Sequence, residues 1–119
     1  MTLFIDTTDN DLVTIGLINK KIAKKTWQTK WLSETLLPTI ERFLKLQRVK
    51  FQGLKKIVVV VGPGFFSRIR TGVATANALG YALNIPIAGV RQGFRRLKFG
   101  KAALPYYAKF PNITRSKPR

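Results

Sequence analysis

The stretch "IVVVVGPGFFSRIRTG", residues 57–72, joins an apolar run to a glycine-rich turn and then to a second periodic segment. Ile57–Val61 is apolar at every position, which is typical of a strand covered on both faces of a sheet. Beyond the Gly-Pro-Gly turn, the pattern predicts a helix from about Ser67 to Leu83. A strand, a glycine turn and a helix in this order favour an α/β fold, and such folds place anion-binding loops at this point.

Strands are also predicted on both sides of this stretch, from runs of β-branched and apolar residues bounded by turn residues. Their predicted bounds are Thr2–Asp6, Leu12–Ile18, about Lys21–Gln28, and Pro86–Val90. Short polar turns separate the first three, as in an antiparallel meander. The sequence therefore predicts an α/β domain with a mixed five-stranded sheet, in which two parallel strands join the meander.

A first helix is predicted between the meander and the apolar run. Ser33 is expected to be its N-cap, with Glu34 in the first turn, where a carboxylate suits the helix dipole. Apolar residues then recur at helical spacing as far as about Gln47. The domain thus has two main helices.

The composition excludes several kinds of active site. The 119 residues include no cysteine and no histidine, which rules out thiolate or imidazole zinc sites and Ser–His or Cys–His nucleophiles. Only five carboxylates are present, too few to argue a facing acid–base pair, so a chain that acts as an enzyme by itself is not expected. A cysteine-free chain also suits a reducing cytoplasm, and its acidic start is not that of a signal peptide.

The net charge is +17, from 22 Lys and Arg against 5 Asp and Glu. Such an excess favours a polyanionic partner, with nucleic acid first and an anionic membrane second. The alternative is an ordinary solvated basic surface. Because composition changes after residue 90, we predict a domain at 1–90 and a basic, aromatic tail at 91–119.

Two turns carry candidate phosphate-binding residues. A carboxylate at a strand end can hold a magnesium-bound water while the hydroxyls and amides beside it meet phosphate. The candidates are Asp6, Thr7, Thr8, Gly62, Gly64 and Arg70. The alternative is that the carboxylate only caps local amides and that the glycine loop is a structural turn. Residue types alone leave both interpretations open.

The second helix is unusual because residues 71–90 contain no charge. A helix on a sheet needs one apolar face, so a partner is expected on the other. Gly72, Ala76 and Gly80 recur at four-residue steps, which would let another helix approach closely. A membrane span is the competing interpretation, but Asn77 and Asn84 argue against it.

Over about residues 2–90 the chain resembles the amino-terminal lobe of TsaB (YeaZ-like) proteins. The resemblance rests on three motifs in this order: "LFIDTT", "LSETLLPTIERFLK" and "LKKIVVVVGPGFFSRIRTGVATANALGYALNIPIAGV". These proteins are the non-catalytic partners in bacterial synthesis of threonylcarbamoyladenosine on tRNA. The matching positions are Asp6, Thr7, Ser33 to Pro38, Gly62, Pro63, Gly64, Phe66, Ile69, Arg70, Gly72 and Ile85 to Val90.

The resemblance implies an actin-like, ribonuclease-H-like lobe that binds the catalytic homologue TsaD through its two helices and can also self-associate. The interface residues expected on these grounds are Leu36, Thr39, Ile40, Gly72, Val73, Ala76, Leu79 and Gly80. It implies a cytoplasmic protein with no bound cofactor or metal. Charge placement adds a candidate tRNA contact in the tail, formed by Arg91, Arg95, Arg96, Lys98 and Lys101.

The chain also departs from the family pattern. Phe65 replaces a serine and Arg68 replaces a glycine, which counts against nucleotide binding at this loop. The resemblance extends over one lobe only, so the second lobe of the family is not expected in these 119 residues, and an actin-like nucleotide site lies between two lobes. Two alternative functions remain open: a residual Mg-ATP-binding protein of the actin-like class, and a free-standing RNA-binding module.

Overall fold

The computed structural model of the chain describes residues 1–9 and 11–92. The elements, in chain order, are β1 (Thr2–Asp6), β2 (Leu12–Ile18), β3 (Ile22–Gln28), α1 (Leu32–Leu46), a 3₁₀ turn (Phe51–Gly53), β4 (Lys56–Gly62), α2 (Phe66–Leu83) and β5 (Ile87–Arg91). The strands form one sheet in the order β3-β2-β1-β4-β5. The first three pair antiparallel, while β4 and β5 run parallel to β1. The predicted mixed sheet with two main helices is confirmed.

Helix α1 begins earlier than the sequence predicts. Trp31, and not Ser33, is the N-cap, and Ser33 lies within the first turn. Threonines on either side support this start: the Trp31 N–H donates to Thr29 Oγ1 over 2.9 Å, and Thr35 Oγ1 donates to the Trp31 carbonyl over 3.0 Å. The earlier start buries Leu32 in the core, so burial outweighs the capping preference of a serine.

The carboxyl-terminal end of α2 fixes where the last strand begins. Asn84 adopts the left-handed conformation (φ 56°), which ends the helix, and the N–H of Ile85 donates to the Gly80 carbonyl over 3.0 Å. Strand β5 then runs to Arg91, one residue beyond its predicted end. Arg91, which the change in composition places in the tail, therefore belongs to the sheet.

Both helices pack on one face of the sheet. Leu36 and Ile40 of α1 and Ile69 of α2 lie in one apolar core with the sheet side chains that point toward them. Alternate residues of β4 supply this core, and the residues between them, Val58 and Val60, form a second buried cluster on the opposite face. The prediction that this strand is buried on both faces is confirmed.

Candidate functional site

The turn after β1 holds the strand-end carboxylate that the sequence singles out. Asp6 Oδ1 accepts hydrogen bonds from the Thr8 backbone N–H (2.9 Å) and from Thr8 Oγ1 (2.6 Å). Thr8 Oγ1 in turn accepts from Gln92 Nε2 over 2.7 Å, and Gln92 is the residue after β5. The carboxylate oxygen is thus engaged within its own turn, which is the geometry of local capping.

The Gly-Pro-Gly turn packs directly against this carboxylate turn, because the carboxyl ends of the parallel strands β1 and β4 lie side by side. Gly62 has a φ of 132°, a conformation that side chains disfavour, and its carbonyl accepts from the Gln92 N–H over 3.0 Å. A Cβ on Gly64 would stand only 2.5 Å from the Thr8 carbonyl oxygen. These glycines therefore allow close contact between two turns of the chain.

Thr7 and the two arginines of α2 complete this end of the sheet. Thr7 is fully buried and its Oγ1 donates to the Arg68 carbonyl over 2.8 Å. Arg70, the predicted phosphate contact, is exposed, and its guanidinium lies 5.1 Å from the centre of the Phe66 ring. The structure thus brings together the Asp-Thr-Thr turn and the glycine loop, and directs Arg70 onto an aromatic ring.

Arg68 is a residue whose role the sequence did not reveal. Its guanidinium donates to the carbonyls of Asp9 (3.1 Å), Thr29 (3.1 Å) and Leu12 (3.5 Å). These acceptors belong to the β1–β2 turn, to the turn before α1, and to the start of β2. One cation in the first turn of α2 therefore links two separate segments, the β1–β2 connection and the turn before α1.

The predicted partner interface requires correction. Apart from Leu79, which is half-buried, its members are buried within the chain, and Leu36, Thr39, Ile40, Val73 and Ala76 are only 0–4% exposed. Gly72 and Gly80 face inward too: a Cβ on them would collide with Thr7 and with Ile87, respectively. The small stripe at 72, 76 and 80 lets α2 approach the sheet closely and leaves no surface for a partner.

A second small stripe, two residues further along, faces outward. Ala74, Ala78 and Ala82 are exposed and lie beside Leu37 of α1, which is 46% exposed. Together they form an open, apolar groove, termed here the α1–α2 groove. Its lining residues are Leu37, Ala74, Thr75, Ala78, Leu79 and Ala82.

Comparison with known proteins identifies the family. The family profile described as "TsaD: tRNA N6-adenosine threonylcarbamoyltransferase" matches residues 26–93, which is more than half of the chain. The chain belongs to the TsaD family. Among its relatives, the tRNA threonylcarbamoyladenosine biosynthesis protein TsaB of Bacillus subtilis is 34% identical over 93 residues, covering 76% of this chain and 41% of TsaB.

A second relative and a solved structure extend the comparison. The tRNA N6-adenosine threonylcarbamoyltransferase of Geotalea uraniireducens is 40% identical over 57 residues, which are 48% of this chain and 17% of that protein. The solved structure of YeaZ from Pseudomonas aeruginosa superposes with a TM-score of 0.71 at 22% identity, covering 76% of this chain and 43% of YeaZ. The resemblance to TsaB and the actin-like fold are confirmed, and the chain spans less than half the length of these relatives.

Most of the predicted tRNA contact of this member of the TsaD family lies beyond the part of the chain that the structure describes. Arg95, Arg96, Lys98 and Lys101 of the predicted tRNA contact lie outside the described residues, and Arg91 is exposed at the end of β5. Within residues 1–9 and 11–92, no group of three or more His, Cys, Asp or Glu side chains could hold a metal ion. In the same part of the chain, no helix is both long and apolar enough to cross a membrane.

Proposed function

We propose that this chain is a non-catalytic subunit in threonylcarbamoyladenosine modification of tRNA, and that it binds a TsaD-type catalytic subunit through the α1–α2 groove. Membership of the TsaD family and the similarity to TsaB support a role in this tRNA modification. The exposed, apolar groove is the observation that carries the choice of surface.

The groove has the chemistry of a surface that binds another protein. Apolar grooves of this kind receive amphipathic helices in many protein complexes. Because the alanine side chains are small, a helix from a partner can approach α2 closely. Leu37 provides a larger apolar contact on the neighbouring helix. Tyr81, 88% exposed on α2, adds an aromatic side chain of the kind enriched in interfaces.

The inventory of polar groups supports a non-catalytic role. Histidine and cysteine are absent, and Asp6, the carboxylate at the strand end, holds the backbone and hydroxyl of Thr8. A general base or a metal ligand needs its oxygen directed at a substrate or an ion. In the proposed complex, the chemistry of the modification belongs to the catalytic partner.

The experiment is co-purification of the full chain with the TsaD-type subunit of the same organism. Ala78→Arg places a long cation in the middle of the groove without altering a buried contact, and it should abolish the complex. Gln28→Arg, on the exposed edge strand β3, adds the same charge elsewhere and should leave the complex intact. Retention of the partner by Ala78→Arg at the level of Gln28→Arg would contradict the proposed surface.

The same variants test self-association. Size-exclusion chromatography of the chain alone shows whether two copies use this face, in which case Ala78→Arg should give the monomer. A Gly80→Arg variant is unsuitable for either test, because its side chain would enter the core beside Ile87. Loss of the complex in that variant would report unfolding.

We also propose that the basic segment after β5 contributes to tRNA binding. Replacing Arg95, Arg96, Lys98 and Lys101 together by glutamine in the full chain should lower tRNA affinity and flatten its salt dependence. Substitution is preferable to deleting residues 91–119, because Gln92 bonds to Gly62 and Thr8 at the carboxyl end of the sheet. Unchanged affinity and salt slope would remove this segment from the tRNA contact.

A further inference from the structure

We infer that the amino end of the sheet, where β1, β4 and β5 begin, is an RNA-binding surface. This amino-end surface comprises the β2–β3 turn, the segment from the end of α1 to the start of β4, and Met1. The inference rests on the proposed function in one respect: the polyanion that binds this surface is taken to be RNA. The surface is distinct from the tail, and Lys20 and Lys21 are not among the lining residues of the α1–α2 groove.

The first observation is the separation of charge between the two ends of the fold. The amino-end surface carries several exposed cations, among them Lys20, Lys21, Arg48, Lys50 and Lys55. No carboxylate among the described residues accompanies them: Asp6, Asp9 and Asp11 lie at the opposite end of the sheet, and Glu34 is in the first turn of α1. Glu41 lies about 8 Å along the helix axis from the end of α1.

The second observation is that the fold brings these cations together from distant parts of the sequence. In the sheet register, Ile22 opposes Ile18, Ile18 opposes Thr2, and Thr2 opposes Lys56. This row places Ile22, the residue after the Lys20–Lys21 turn, about 14 Å, or three strand spacings, from the start of β4. The N–H of Lys55 also donates to the Met1 carbonyl over 2.8 Å. A polynucleotide presents several phosphates over such a span.

The third observation is a depression between the β2–β3 turn and the end of α1. Its volume is about 270 Å³, below the usual range for a small-molecule pocket. Its lining residues are Met1, Leu17, Asn19, Lys20, Lys21, Ala23, Gln47 and Val49. The depression thus has an apolar floor, two side-chain amides and a cationic rim. These features match the parts of one nucleotide, since amides hydrogen-bond to base edges and cations bind phosphates.

Neither the helix dipole nor a membrane accounts for these cations as well as RNA does. Basic residues near the end of α1 offset the helix dipole, but Lys20 and Lys21 lie on a strand turn that has no such dipole. An anionic membrane would use exposed apolar side chains as well, and Ile22 and Leu46 are 74% and 76% exposed. They lie on opposite faces of the sheet, because Ile22 alternates with Ala23, which packs toward the helices. They therefore form no single inserting face.

The test measures binding of a fluorescein-labelled tRNA to the full chain by anisotropy over a series of salt concentrations. Lys20→Gln/Lys21→Gln should weaken binding several-fold and reduce the slope of log K against log salt by about 1.5–2. The control, Lys30→Gln/Arg42→Gln, removes two charges outside this surface and should leave affinity and slope near those of the wild-type chain. Asn19→Ala/Gln47→Ala, which leaves the charge unchanged, should weaken binding without altering the slope.

Several outcomes would overturn the inference. The first is that the wild-type chain does not bind tRNA. The second is that Lys20→Gln/Lys21→Gln and the control Lys30→Gln/Arg42→Gln lose equal affinity. The third is that Lys20→Gln/Lys21→Gln keeps its affinity for tRNA but loses binding to vesicles of phosphatidylcholine and phosphatidylserine. Retention of the TsaD-type subunit by Lys20→Gln/Lys21→Gln separates this result from failure of the proposed function. If tRNA binding is unaffected but Ala78→Arg still loses the partner, only the amino-end inference fails.

Discussion

The two ends of the sheet use polar side chains in opposite ways. At the carboxyl end, Asp6, Thr7, Thr8 and Arg68 direct their polar atoms at groups of the same chain. At the amino end, the cations are exposed with no carboxylate nearby among the described residues. A hydrogen-bonded, buried polar group contributes to the stability of the fold, whereas exposed like charges destabilise it slightly and suit binding. Substitutions at the carboxyl end should therefore affect folding, and those at the amino end should affect RNA binding.

The largest effect is expected at Gly64. In Gly64→Ala the new methyl group would stand 2.5 Å from the Thr8 carbonyl oxygen and 3.0 Å from its Cα, so backbone must move. We expect the free energy of unfolding to fall by about 3 kcal/mol. Gly53→Ala is the matched control, because its Cβ would meet only Val49 Cγ1 at 3.5 Å. Chemical denaturation that shows equal stability for the two variants would contradict the tight contact between the turns.

Arg68 should give the next largest effect. Arg68→Ala removes hydrogen bonds to three backbone carbonyls and should lower the free energy of unfolding by about 2 kcal/mol. Arg70→Ala, two residues away, loses an exposed contact with Phe66 that is worth about 0.5 kcal/mol. Urea unfolding of both variants measures the difference. Similar losses would mean that Arg68 does not fasten these turns.

Thr7 tests one buried hydrogen bond. Thr7→Val keeps the branched shape but leaves the Arg68 carbonyl without its hydroxyl donor, so about 1 kcal/mol of stability should be lost. Thr14→Val is the comparison, because its hydroxyl bonds to Thr26 on an exposed part of the sheet. A loss in Thr7→Val no greater than in Thr14→Val would argue against a structural role for this bond.

Local patterns predicted the sheet well. The bounds of β1 and β2 and the two-sided burial of β4 follow from runs of apolar residues, which depend on little beyond their own segment. The predicted start of α1 is wrong, because the prediction followed the preference of serine for the N-cap, whereas burial of Leu32 decides where this helix begins. A preference of one residue is smaller than the free energy of burying an apolar side chain.

The site was harder to predict because its contacts join distant segments. Residues 72, 76, 80 and residues 74, 78, 82 are both small at four-residue spacing, so the sequence cannot say which stripe faces the sheet. Packing against Thr7 and Ile87 settles the matter. The role of Arg68 likewise depends on acceptors as many as 59 positions away, which no local pattern reveals.

Asp6 gives the smallest expected change in stability and separates the capping role from a nucleotide site. In Asp6→Asn, the amide oxygen can still accept the two bonds from Thr8, so the free energy of unfolding should change by less than about 1 kcal/mol. A magnesium-bound nucleotide would depend on the negative charge that this substitution removes. In thermal-shift titrations with Mg-ATP we expect no stabilisation of either chain. If ATP stabilises the wild-type chain and Asp6→Asn abolishes that shift, the carboxyl end of the sheet binds a ligand as well. The contrast between a structural carboxyl end and a binding amino end would then be wrong.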